Sequence, residues 1–283
     1  MNPLGEATKG VIQAAFDVWN ALQDTVWNML VETPQTLDGG SVWQNFFDVI
    51  QPIFVGVGTF LVIVFFFWGF VKNSTDIHEE MRLEVILRII IRVVVAEFLV
   101  INNFWIMGKF FEAVGALVRL IRPAGTGGAA FSELKISDAF NTAIDDAGFW
   151  IGFLLFLISL IAFLVIIVMA AMLVLTVYTR FLKLFVVLPL GTLAFSSFSG
   201  DREIAHSSSA YFKYVLGLAL EAAAMGLALI VSGMIISSDL FMFGDSTGTW
   251  GSVLFLVQII LQLAVTVGTV RGAHELVSRT LGV

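Results

Sequence analysis

The sequence predicts an all-α, polytopic integral membrane protein, and three observations carry this prediction. Of its 283 residues 58% are hydrophobic and only 13% are charged, against about 25% charged in soluble domains. Residues 147–179 form a run of 33 residues without Asp, Glu, Lys or Arg, and about 20 apolar residues cross a bilayer as a helix. These runs do not alternate as barrel strands do. We expect about five transmembrane helices, a Pro-broken hairpin and an N-terminal amphipathic helix.

The composition also excludes several classes of function. The chain has no cysteine, which rules out disulfides, zinc–thiolate sites and cysteine nucleophiles. Its net charge of −7 argues against a nucleic-acid surface, which is normally basic. Gly244-Asp-Ser246-Thr-Gly248 fits the G-x-S-x-G pattern, but it lies in a loop between two spans and not in a strand-turn-helix. The three histidines are scattered without metal-binding spacing. We therefore predict no enzyme, no catalytic or metal-binding residue and no cofactor, with bound phospholipid as the only ligand to expect.

Residues 1–50 are predicted to form an external amphipathic helical region. Within 10–32, apolar side chains recur at three- to four-residue steps, at Ile12, Phe16, Trp19, Leu22, Val26 and Leu30. Such a helix can lie in the membrane interface, pack on partner helices, or cover part of its own protein. The sequence leaves these three alternatives open.

Residues 51–108 are predicted to hold the first two membrane spans. Pro52 marks the start of the first span, within a stretch of 23 uncharged residues between Asp48 and Lys72. The second span carries Arg88, Arg92 and Glu97. Charged residues inside a span suggest a function or a buried partner. For the two arginines, snorkelling from the end of the span is the alternative.

The rest of the chain is predicted to contain an external loop with short helices at 109–148, core spans at 149–270 and a cytoplasmic tail at 271–283. One short helix of the loop is expected over 137–146. The 17 uncharged residues of 184–200 are marginal for a crossing. Because Pro189 and Gly191 interrupt them, we expect a broken hairpin over 181–198, buried in protein.

The span at 215–236 contains the most unusual single residue, Glu221, near the middle of the bilayer. A carboxylate at that depth is usually paired, protonated or in contact with water. Arg92 is the first candidate partner, and Arg180 and Lys183 come second. A functional acid facing a cavity is the alternative. Small residues in this span would let a neighbouring helix approach closely: Gly217, Ala222 and Gly226.

The distribution of Lys and Arg favours one orientation of a five-span chain. The side that holds the C-terminus and the loops at 72–82 and 178–214 carries eight basic residues against five on the other side. The positive-inside rule then places the N-terminus outside and the C-terminus in the cytoplasm of the plasma membrane. Six crossings would leave the rule undecided. The cytoplasmic side then presents a basic-aromatic set: Arg180, Lys183, Arg202 and Lys213.

Three motifs resemble those of a known family. They are Tyr178-Thr-Arg-Phe-Leu-Lys183, Val187-Leu-Pro189-Leu-Gly191-Thr-Leu-Ala-Phe195 and His206-Ser-Ser-Ser-Ala-Tyr-Phe-Lys-Tyr214-Val-Leu-Gly217. In sequence and order they resemble the TrbL-type polytopic membrane proteins of type IV secretion systems, particularly the compact forms in conjugative elements of Gram-positive bacteria.

This resemblance implies a non-enzymatic subunit of a conjugative channel that moves DNA–protein substrate across the cell membrane. Its implied partners are other copies of itself in a ring (five by resemblance), membrane lipid and further secretion subunits including a transfer ATPase. Contact with nucleic acid is expected to be transient at most. The alternative is a small-solute or ion channel or transporter, with Glu221, Arg92 and Glu97 along its path.

Overall fold

A computed structural model describes residues 3–75, 83–126, 134–200, 202–236 and 249–282. Every long element in these ranges is a helix, and no strand occurs within them. The helices are α1 (Pro3–Val31), α2 (Ser41–Thr75), α3 (Leu83–Thr126), α4 (Asp138–Asp145), α5 (Phe149–Ser196), α6 (Arg202–Ile236) and α7 (Thr249–Leu281). Two short 3-10 turns lie at Leu37–Gly40 and Ser197–Ser199. The Gly244–Gly248 motif and most of the loop after Lys72 fall outside the described residues.

Five of the helices are long and apolar enough to cross a membrane, and they are α2, α3, α5, α6 and α7. This confirms the predicted all-α, multi-pass fold and its number of spans. The chain folds as two compact units. The first comprises Met1–Val31, Leu117–Tyr178 and Ala222–Ala273, and the second comprises Glu32–Ala116, Thr179–Glu221 and His274–Val283.

In the first unit, α1 turns its apolar face onto the protein itself. The predicted stripe is buried at every position except the half-buried Leu22. The Asn20 side-chain amide binds the Leu134 backbone twice, accepting from its N–H at 3.2 Å and donating to its carbonyl at 3.3 Å. Lys9 Nζ lies 2.6 Å from the Asp145 carboxylate. Of the three alternatives that the sequence left open, the structure therefore shows a helix that covers its own protein.

The short helix predicted over 137–146 appears as α4, Asp138–Asp145. It begins there because the Ser137 hydroxyl oxygen accepts the Phe140 N–H at 3.2 Å, which satisfies one of the free donors of the first turn. The Phe140 ring is buried, and its centroid lies 5.3 Å from that of Phe255 on α7. This ring contact packs α4 against α7 within the first unit.

The second unit has an apolar core built from α2, α3, α5 and α6. Val62, Phe104, Leu188 and Leu218 represent the four helices in this core. Gly58 on α2 lies in close contact with α3 and α5. A Cβ there would lie 2.8 Å from Val100 Cγ1, 3.2 Å from the Thr192 carbonyl oxygen and 3.3 Å from Thr192 Cβ. The absence of a side chain at position 58 is therefore what allows α2 to pack against α3 and α5.

The predicted broken hairpin at 181–198 is wrong. Helix α5 runs without interruption from Phe149 to Ser196, with Pro189 inside it, so Pro189 and Gly191 do not form a helix break. A proline removes one helical N–H and crowds the preceding turn. Neighbouring helices can compensate by binding the freed backbone groups, and such contacts are not visible in the sequence. The chain reverses only at the Ser197–Ser199 turn, where the Ser199 hydroxyl donates to the Val62 carbonyl at 3.0 Å.

Three other helices also continue past their predicted ends. Helix α2 includes the residues on both sides of Pro52. Helix α3 continues to Thr126, so that the first part of the predicted external loop prolongs the second span. Helix α7 continues to Leu281 and includes most of the predicted tail.

The close approach at Gly58 gives a direct test of the second unit. We expect Gly58→Ala to lower the free energy of unfolding by about 1–3 kcal/mol, because the added methyl group overlaps Val100. Thermal unfolding in detergent, followed by size-exclusion chromatography with fluorescence detection, measures the change.

The matched control is Gly56→Ala on the same helix. A Cβ at position 56 has no atom within 4 Å, so this change should stabilise the helix by about 0.5–1 kcal/mol through lower backbone entropy. Equal melting temperatures for the two variants would contradict the packing described here.

Candidate functional site

Arg180 on α5 and Glu221 on α6 form a buried charge pair in the second unit. Their exposed fractions are 3% and 2%, and they are the only charged side chains among the described residues that are buried to this extent. The Glu221 carboxylate attracts the Arg180 guanidinium electrostatically. Because a lone buried charge is strongly unfavourable, each side chain is tolerated at this position only with a compensating neighbour.

Further contacts hold the Arg180 guanidinium. Nη2 donates to the Glu32 carbonyl at 3.4 Å, and the guanidinium carbon lies 4.5 Å from the centroid of the Phe181 ring. Nε has no hydrogen-bond partner among the described residues. The guanidinium thus joins α5 to the segment that follows α1.

The geometry of the α5–α6 pair explains why these two residues lie at the same level. Arg180 precedes the end of α5 by 16 residues, and Glu221 follows the start of α6 by 19 residues. At 1.5 Å per residue these arms measure about 24 and 28 Å. A tight reversal at Ser197–Ser199 therefore brings the two charges together.

The other charged residues predicted within the spans have different environments. Arg88 is exposed and Arg92 is half-buried on α3. Arg92, the first candidate partner of Glu221, makes no ion pair within the described residues. The buried opposite charge that attracts Glu221 is Arg180, which the sequence analysis had placed second. Glu97 is half-buried, and its carboxylate accepts the Thr59 hydroxyl at 2.8 Å between α3 and α2.

The predicted basic-aromatic set does not form one surface. Arg180 is buried within α5, and Lys183 is half-buried one turn later. Lys213 is exposed on α6, and Arg202 begins α6, with its side chain outside the described part of the chain. The expectation failed for Arg180 because α5 continues through this stretch instead of ending before it.

The small residues of α6 pack within the chain. Gly217, Ala222 and Gly226 are all buried, and a Cβ at Gly226 would lie 3.5 Å from the Trp27 ring of α1. At Gly226 the predicted neighbouring helix is therefore α1 of the same molecule. This face is not free to join copies of the protein.

A second polar cluster surrounds Pro189 and was missed by sequence reasoning. The Leu188 carbonyl, in the peptide bond to Pro189, accepts Asn103 Nδ2 at 2.9 Å and the Tyr211 hydroxyl at 3.4 Å. The signal that could have found it is Asn103 itself, an uncharged amide inside a long apolar span.

Gly191 lies against the same two side chains. A Cβ at this position would overlap the Tyr211 hydroxyl and lie 2.6 Å from Asn103 Oδ1. Glycine is therefore required here for packing. Its role is the close approach of α3 and α6 to α5, and not the helix break that the sequence suggested.

Chemically, the site combines two buried charges of opposite sign, which attract each other, with hydrogen bonds to helix backbone. In the part of the chain that the structure describes, no group of three or more His, Cys, Asp or Glu is placed to hold a metal ion. Comparison with protein-family models, with curated proteins and with solved structures finds no match for this chain.

We expect replacement of one member of the charge pair to destabilise the protein more than replacement of both. We expect Glu221→Gln to lower the free energy of unfolding by about 3–5 kcal/mol, because Arg180 is left buried without a counter-charge. The double variant Arg180→Gln, Glu221→Gln should recover part of this loss. Thermal melts of the purified protein in lipid nanodiscs give the three values.

Glu97→Gln is the matched control, since it makes the same change at a half-buried acid. The amide retains an oxygen that can accept the Thr59 hydroxyl, so the loss should be about 1 kcal/mol or less. If Glu221→Gln were no more damaging than Glu97→Gln, the buried pair would not be an energetic determinant of the fold.

Proposed function

We propose that this protein is a membrane-embedded, non-enzymatic subunit of a conjugative type IV secretion apparatus. In this proposal, several copies form a ring that contributes to the channel for a DNA–protein substrate. Two observations support it: the TrbL-type motifs along α5 and α6, and an exposed apolar surface on α5 that is too long for lipid alone to cover. The second observation carries the argument for assembly.

Helix α5 exposes large apolar side chains over most of its length. They begin at Phe149 and Trp150, with exposed fractions of 66% and 80%, and continue past Arg180 to Leu182, Val186 and Leu190, with fractions of 64%, 67% and 44%. From Phe149 to Leu190 the helix rises about 62 Å. A hydrocarbon core of about 30 Å covers about 39 Å of a helix tilted by 40°.

About 20 Å of this exposed face therefore needs a cover other than lipid. Leu182, Val186 and Leu190 recur every four residues on one side of α5, in the second unit. Their spacing suits packing against another helix. In the proposed assembly a second copy of the chain covers this stripe, and repetition of the contact closes a ring.

The proposed arrangement in the membrane follows from the basic residues. Arg180 is buried within α5 and is left out of the count. The side that holds the C-terminus then carries seven Lys and Arg against five on the other side, so with five spans the proposed N-terminus is external and the C-terminus cytoplasmic in the plasma membrane. The proposed partners are a transfer ATPase on the cytoplasmic side, other secretion subunits and membrane lipid. Contact with nucleic acid is transient at most in this scheme.

The alternative, a small-solute or ion channel or transporter, requires Glu221, Arg92 and Glu97 to line a water-filled path. Glu221 is 2% exposed and is engaged by Arg180, and Glu97 is engaged by Thr59. Neither environment favours this alternative. It remains as an outcome that the experiments below can detect.

The assembly predicts a multimer that depends on the apolar stripe after Arg180. In nanodiscs, mass photometry should find the native protein as a homo-oligomer, and Val186→Glu should convert it to monomers because the contact would bury an unpaired charge. Leu276→Glu is the matched control, since Leu276 is 66% exposed and follows the apolar part of α7. A native protein that stays monomeric at every concentration would contradict the ring.

The secretion role predicts that the variants that lose the multimer also lose conjugative transfer. Deleting the gene from a donor cell should abolish conjugative transfer, measured as transconjugants per donor. The native chain and Leu276→Glu should restore it, and Val186→Glu should not. Full transfer without the gene, together with solute flux in liposomes that Glu221→Gln abolishes, would favour the channel alternative.

A further inference from the structure

We propose that Pro189 is a hinge in α5, and that Asn103 on α3 is the clamp that holds it in the helical conformation. The proposal rests on contacts within the second unit and is independent of the secretion role. It assigns to Asn103 and Tyr211 a positioning function that their place in apolar spans does not by itself reveal.

The backbone at Pro189 is the weakest point of a long helix. Proline has no N–H, so the carbonyl of Phe185 loses its helical partner, and the ring crowds the preceding turn. Sharp bends in helices occur most often at such positions. Here the helix nevertheless continues from residue 189 to Ser196.

Contacts from three sides hold this turn in place. Asn103 Nδ2 donates to the Leu188 carbonyl at 2.9 Å, and the Thr192 hydroxyl donates to the Pro189 carbonyl at 2.7 Å. Gly58 of α2 lies against Thr192, where even a methyl group would meet the Thr192 carbonyl at 3.2 Å. The single direct bond from another helix at good hydrogen-bond distance is therefore that of Asn103, among the described residues.

The Asn103 amide lacks one of its hydrogen bonds, which makes the clamp easier to release. Asn103 is fully buried, but its Oδ1 has no hydrogen-bond partner among the described residues. The Tyr211 hydroxyl reaches the Leu188 carbonyl only at 3.4 Å, although it and Asn103 Oδ1 both lie against Gly191. A small rotation of Tyr211 would let its hydroxyl donate to Asn103 Oδ1. In the proposed hinge, the turn around Pro189 alternates between the observed hydrogen bonds and this second arrangement, as a bistable element does.

Release of the clamp should move the end of α5 and the turn after it. Between Pro189 and Ser199 the chain rises about 15 Å along the axis, so a bend of about 20° displaces the turn by about 5 Å. The start of α6 would follow, because the rings of Phe195 and Tyr211 are in edge contact with centroids 5.4 Å apart.

The test uses two spin labels in this cysteine-free chain. Cysteines at Val94, which is 62% exposed on α3, and at the exposed Ser207 on α6 report the lateral position of the turn. In nanodiscs, pulsed electron–electron double resonance should give one narrow distribution of distances between the two labels in the native background. Asn103→Leu should add a population displaced by about 5 Å, the displacement expected for a 20° bend.

Pro189→Ala distinguishes bending at the hinge from a general disruption of the fold by Asn103→Leu. Alanine restores the missing N–H, so the double variant Asn103→Leu, Pro189→Ala should return to the narrow native distribution. Asn102→Ala is the matched control, since among the described residues the Asn102 amide donates to its own helix alone, at the Phe98 carbonyl 2.9 Å away. A native-like distribution for Asn103→Leu, or an equally broad one for the double variant, would overturn the proposal.

Discussion

The interaction on which the second unit depends is the buried pair of Arg180 and Glu221. Two opposite charges at 3% and 2% exposure are costly to remove from water. Such a pair adds little to stability compared with apolar residues of the same size, but it permits few alternatives. A shift of α5 against α6 would move the two charges apart, and each would lose the opposite charge that compensates it. We infer that the pair fixes the register of α5 against α6.

That register determines which parts of α5 and α6 meet. It aligns Phe195 with Tyr211, whose rings are in contact, and it brings the Tyr211 hydroxyl to the turn around Pro189. Gly58 and Gly191 then permit α2, α3 and α6 to approach the α5 backbone closely. The polar side chains of this region are thus used to hold helices together, while the outer face of α5 remains apolar.

The apolar residues of α6 and α5 have different environments. The small residues of α6 are used inside the molecule, with Gly226 against Trp27. The large residues of α5, such as Trp150 and Val186, stay exposed. Lipid can cover one part of that exposed face but not its whole length, since a bilayer core is about 30 Å thick. The proposal of an assembly of copies follows from this mismatch.

The sequence by itself determined that the chain is helical and crosses a membrane about five times, because long runs of apolar residues have no other stable state in lipid. It also predicted the apolar stripe of α1 and a short helix over 137–146, because the stripe follows from local periodicity. It left open which surface covers that stripe. It singled out Glu221 as anomalous, but it ranked Arg92 above Arg180 as the partner. Pro189 and the charges near it suggested a break where α5 in fact continues. Only the tertiary structure decided these points, because the groups that compensate a proline or a charge, such as Asn103 and Arg180, come from positions distant in the sequence.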